Sequence, residues 1–103
     1  MSKVIELKER NLKDVIGEGV ALVELGSVTC GPCKMLEPIL DKLSEKVDYP
    51  IVKVEVYDFP EIATEYKVRS IPVLLVFKNG EVVNQLKGFV EEKEIVKAVK
   101  KYL

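Results

Sequence analysis

Histidine and tryptophan are absent from this chain, and cysteine occurs only twice. A structural zinc site takes four ligands, usually Cys or His, so one copy of this chain cannot complete one from those residues. Charge of a single sign is missing as well. There are 16 basic and 17 acidic residues, a formal net charge of −1, and no basic block. A nucleic-acid partner is therefore not expected. Long hydrophobic runs are also lacking: the longest, 71–77, is far shorter than the roughly 20 residues of a membrane-spanning helix. At the N-terminus, Met1-Ser2-Lys3-Val4-Ile5-Glu6 meets an acid before any signal-peptide core develops. These absences predict a cytoplasmic protein without a membrane partner.

What is present is a chain of 103 residues, 48% hydrophobic and 32% charged. That length and balance predict one domain, 1–103, with a single core. Val4, Ile5 and Leu7 suggest a short opening strand, and Leu12, Val15 and Ile16 one face of a helix stopped at Gly17 or Gly19. Residues 20–25 read as a buried strand. Met35, Leu36, Ile39, Leu40, Leu43 and Val47 form a helical stripe, with Pro38 expected to kink it. A strand over 51–56 puts Val52, Val54 and Val56 on one face, and a short helix follows near Pro60. Residues 71–77 read as a buried strand with proline second. Asn79-Gly80 signals a type I′ hairpin turn into a returning strand, which Gly88 ends. The closing helix is expected to turn Ile95, Val96, Val99, Tyr102 and Leu103 inward, with its acids first and its lysines last, as the helix dipole favours. The order is βαβαβαββα, an α/β class with parallel pairs and one antiparallel hairpin.

Both cysteines lie in Cys30-Gly31-Pro32-Cys33, between a buried strand and an amphipathic helix. Such a pair can close a small disulfide, bind metal or exchange electrons. A staple between residues three apart constrains little, and a reducing cytosol rarely keeps one. A helix N-terminus presents unpaired N–H groups and positive potential, which lower the pKa of a thiol at Cys30. Cys33, further into the helix, is expected to be covered. The asymmetry assigns attack on a substrate disulfide to Cys30 and resolution of the mixed disulfide to Cys33. Glu24, an acid amid Leu22, Val23 and Leu25, is the candidate base, its pKa raised by burial; the alternative is a solvent-facing acid on a sheet edge. Tyr49, Tyr57, Tyr66 and Tyr102 adjoin no motif and read as packing.

The chain resembles the thioredoxin family over essentially its whole length. The resemblance rests on Cys30-Gly31-Pro32-Cys33-Lys34-Met35, Pro38-Ile39-Leu40-Asp41, Val68-Arg69-Ser70-Ile71-Pro72, Phe77-Lys78-Asn79-Gly80-Glu81 and Gly88, in that order. It implies the thioredoxin fold, a central mixed β-sheet flanked by helices. It also implies reduction of protein disulfides, with a thioredoxin-reductase-like enzyme as the recharging partner and no cofactor beyond the redox-active Cys30–Cys33 pair. Pro72 matches a cis-proline facing the dithiol, and Ile71 a backbone that pairs with extended substrate. Thr29, Gly31, Pro32, Gly88 and Phe89 would form a shallow docking surface. Lys53 matches a lysine beside the buried acid, where it would oppose the effect of burial. A monomer is expected.

The departures are specific. Gly26 and Thr29 stand where the family usually carries tryptophan, Glu24 where aspartate is common, and Val73 where threonine follows the proline. The dithiol chemistry is untouched by these changes, whereas the surface a partner meets is altered. Two alternatives stay open: a specialised redox carrier with one dedicated reductase, and a non-catalytic module bridging a metal or iron–sulfur cluster between two chains.

Overall fold

The computed structural model describes residues 2–8 and 11–103; Met1, Glu9 and Arg10 lie outside the described residues. The elements are β1 (Ile5–Glu6), α1 (Leu12–Ile16), β2 (Val20–Gly26), α2 (Gly31–Ser44), β3 (Ile51–Glu55), α3 (Pro60–Glu65), β4 (Val73–Lys78), β5 (Glu81–Lys87) and α4 (Glu92–Lys100). Their order is the βαβαβαββα expected from the periodicities. The five strands form one mixed sheet in the order β1-β3-β2-β4-β5. β3 lies parallel to both β1 and β2, while β4 runs antiparallel to β2 and β5.

The alternation of side chains along each strand divides the core between the two faces of the sheet. Ala21, Val23, Leu25, Val52, Val54 and Leu75 pack with α1 and α3 on one face. Leu22, Ile51, Leu74 and Val76 meet Leu36, Leu40 and Leu43 of α2, with Ile95 and Val99 of α4, on the other. β2 is buried at every position because it is the central strand and helices cover it on both sides.

Beyond shifts of one residue at the ends of β2 and β3, four features differ from the sequence expectation. β4 begins at Val73, so Pro72 precedes the strand, in a cis peptide bond with Ile71. Pro lacks the N–H a ladder needs, and the strand starts after it. Met35 is 60% exposed: the inward stripe of α2 runs through Cys33, Leu36, Leu40 and Leu43. Val96 and Leu103 are exposed, since Ile95, Ala98 and Val99 fill the buried face of α4. Tyr57, read as packing, is 75% exposed. The hairpin is as expected: Asn79 (φ 53°) and Gly80 (φ 84°) take the left-handed conformations of a type I′ turn.

Candidate active site

The site is assembled at one end of the sheet, where β2 finishes at Gly26. The register Leu25↔Val73 brings Pro72, the residue before β4, to that end, and Val73↔Lys87 brings Gly88 there from β5. The Gly88 N–H donates to the Pro72 carbonyl at 2.8 Å, closing the edge between them. The parallel register Gly26↔Glu55 adds the end of β3. There the Glu55 carboxylate accepts from the Val28 N–H at 2.9 Å and the Tyr57 N–H at 3.2 Å. Glu55 thus ties the loop that leads to the cysteines to the loop that follows β3.

Cys30 and Cys33 are joined as a disulfide, with 5.2 Å between their Cα atoms. Cys30 is the N-cap of α2: its backbone is extended and its Sγ accepts from the Cys33 N–H at 3.2 Å. The sulfur therefore occupies the position where the unpaired N–H groups of the helix point. Pro32, in the first turn, contributes no N–H to be satisfied. The two sulfurs live in different surroundings, since Cys30 is partly exposed and Cys33 only 4% exposed. Thr29, Gly31, Pro32 and Phe89 are exposed and Ile71 half-buried around this end.

Glu24 is 2% exposed and sits on the central strand, not on an edge. It shares a sheet face with Lys53, its partner in the β2–β3 register, and that face looks toward α2. Burial is the main influence on its carboxyl and pushes its pKa up to about 7; Lys53 opposes this, and Glu37 and Glu55 reinforce it. Lys53 is itself held by Glu37, with Nζ 3.3 Å from Oε1. The expected Lys53–Glu24 opposition is present, and burial outweighs it. A cavity of about 350 Å³ opens here, lined by Glu24, Gly26, Cys33, Glu37, Lys53 and Glu55 among others.

Glu37 and Glu55 are not legible as site residues, and Gly26, expected among the changes to the partner-facing surface, is instead buried beside Glu24 and Cys33. Glu37 lies four residues after Cys33, one helical turn on, and that spacing was available as a signal. Glu55 is two positions from Lys53 on the same strand face, but its approach to Gly26 depends on the register of β3 against β2. No group of three or more His, Cys, Asp or Glu that could hold a metal occurs among the described residues.

A partly exposed cysteine at a helix N-terminus, bonded to a buried one that borders a carboxyl of raised pKa, defines a thiol–disulfide oxidoreductase. The comparisons agree. The family model described as Thioredoxin matches residues 3–101. A thioredoxin of Staphylococcus saprophyticus is 36% identical, the match covering 97% of this chain and 98% of that one. A Staphylococcus aureus thioredoxin is 34% identical over the same shares. Among solved structures, a reduced Schistosoma mansoni thioredoxin pre-protein superimposes with a TM-score of 0.88 at 32% identity, covering 99% of this chain and 100% of that chain. A mutant thioredoxin of Halobacterium salinarum does so with a TM-score of 0.87 at 30% identity, over 96% and 88%. The chain belongs to the thioredoxin family. It has the thioredoxin fold and is a protein-disulfide reductase, with protein substrates and a reductase as its class of partners.

Proposed function

We propose that Cys30 is the attacking sulfur, Cys33 the resolving one and Glu24 the group that takes the proton of Cys33. The observation that carries this reading is the inequality of the two sulfurs: Cys30 caps α2, whereas Cys33 is buried on the side of Glu24. In the reduced protein the Cys30 thiolate attacks one sulfur of a substrate disulfide. That S–S bond breaks, a mixed disulfide forms, and the first substrate thiolate leaves to be protonated by water. Cys33 then passes its proton to the Glu24 carboxylate and attacks Sγ of Cys30. The second substrate thiolate departs, and the Cys30–Cys33 disulfide remains. Two electrons have moved to the substrate, and a reductase returns them.

Gly31 and Pro32 shape the first turn of α2, and Lys53 biases the charge of Glu24. Thr29, Ile71, Gly88 and Phe89 form the surface against which an extended substrate segment lies, with Ile71 offering backbone groups and the buried Pro72 supporting it. The Cys30–Cys33 pair is its own electron store, so the reaction takes no metal or organic cofactor. The protein works as a monomer of one domain, 1–103, in the cytoplasm, without nucleic acid or membrane. Near-neutral charge supports the exclusion of nucleic acid, and no helix among the described residues is long and apolar enough to cross a membrane.

The test is reduction of insulin disulfides by dithiothreitol with wild type or Cys30→Ser as catalyst. Wild type is expected to accelerate the reaction and Cys30→Ser to leave it at the uncatalysed rate. Equal rates would remove the catalytic assignment of Cys30.

A further inference from the structure

Gly26 ends β2 two residues after Glu24, on the same face of the sheet. A Cβ at this position would collide with Oε2 of Glu24, lie 3.2 Å from its Cδ and stand 3.0 Å from Sγ of Cys33. The carboxyl and the buried sulfur therefore border one space of about the size of a methyl group. Gly26 needs no unusual backbone here, because it lies within the regular ladder, paired in register with Glu55. Its missing side chain matters for room alone.

We propose that Gly26 is a positioning residue: by leaving that space empty, it lets the long side chain of Glu24 bring its carboxyl beside Cys33. The inference rests on the reading of Glu24 as proton acceptor and adds what places it. A methyl group at residue 26 strikes the far end of a flexible side chain, not backbone. Its main effect is thus to push the carboxyl away from Cys33, into the adjoining cavity between Lys53, Glu37 and Glu55. There the group meets more water and the Lys53 ammonium, which favour its charged form, and the Glu37 and Glu55 carboxylates, which oppose it. Aspartate at residue 24 is one methylene shorter and withdraws from a methyl at 26, so the two substitutions compensate.

The experiment uses Gly26→Ala, Glu24→Asp and the double variant, with two readouts. The first is the resolution step, followed as release of the second coloured thiolate when the reduced protein reacts with a chromogenic aryl disulfide. The second is the Glu24 titration in the oxidised protein, followed by carboxyl carbon chemical shift. Gly26→Ala is expected to slow resolution about tenfold to a hundredfold, since misplacement of a catalytic group by about 1 Å can cost about a hundredfold, and to move the Glu24 midpoint. The double variant is expected to resolve within about threefold of Glu24→Asp alone, a non-additive result that general destabilisation does not produce. Because the double variant removes the collision, it also reports if Gly26→Ala folds poorly. An unchanged resolution rate and titration in Gly26→Ala would overturn the inference, as would a double variant as slow as the two single effects multiplied. Glu24→Gln separates the two claims. If it resolves at the wild-type rate, Glu24 is not the acceptor, and the Glu24 midpoint in Gly26→Ala then decides the positioning claim by itself.

Discussion

At the scale of single residues, the difference between Cys30 and Cys33 comes from one turn of helix. Cys30 lies at the N-cap, where its Sγ receives the Cys33 N–H and stays partly exposed. Cys33 lies within α2, beneath the first turn and against the sheet. A helix N-terminus stabilises a nearby thiolate, and burial in apolar surroundings disfavours one. Iodoacetamide is accordingly expected to alkylate Cys30 of the reduced protein at least about tenfold faster than Cys33. Peptide mapping after a short exposure would measure the ratio, and equal labelling would contradict the division of roles. The cysteine spacing was legible because the motif is local. The neighbours of Glu24 were only half legible. An acid among leucines and valine announced burial, but Glu37 and Glu55 reach it through α2 packing and strand register, which no local pattern records.

At the scale of elements, period and turn chemistry carried the reading. The 3.6 and 2 periodicities and the Asn79-Gly80 signal placed the nine elements of the described residues in order. What they could not supply was lateral order. β3 inserts between β1 and β2, so the strand bearing Glu24 becomes central, a result of crossover connections and not of local propensity. The face of α2 differs from expectation at Met35 for a similar reason, since several apolar residues compete for one stripe and the sheet selects Leu36, Leu40 and Leu43. The hairpin turn gives a prediction at this scale. Gly80 has φ 84°, and the turn is tied down by Asn79, whose Oδ1 accepts from the Gly19 N–H at 2.8 Å. Gly80→Ala is expected to cost about 1 kcal/mol, the penalty of a left-handed alanine, measurable by urea unfolding. Its disulfide-reduction rate should match wild type, because the turn lies at the opposite end of β4 from Val73. A loss of activity without loss of fold would contradict that separation.

At the scale of the whole molecule, the buried acid links stability to pH. The pKa of Glu24 rises from its ordinary 4.5 to about 7 on folding. Between those values the folded state holds a proton that the unfolded state has lost, so stability falls as pH increases. The contribution is fully present below the lower value and gone above the upper one, a loss of about 3 kcal/mol. Oxidised wild type is expected to lose roughly that much more stability than Glu24→Gln between about pH 4 and about pH 8, read from urea unfolding. Parallel profiles would show that the acid is not held protonated by the fold. The protein thus keeps, on its central strand, a group that weakens it as pH passes through neutrality, consistent with retention for chemistry and not for packing.

The Asn79-Gly80 turn has a use of its own. It stands at the end of β4 opposite Val73, a strand of six residues and about 20 Å. A dye, an affinity tag or a surface linkage attached there leaves Cys30 facing outward. The molecule comes with a grip at one pole and its reactive tip at the other, so it can be immobilised on an electrode or bead in a working orientation.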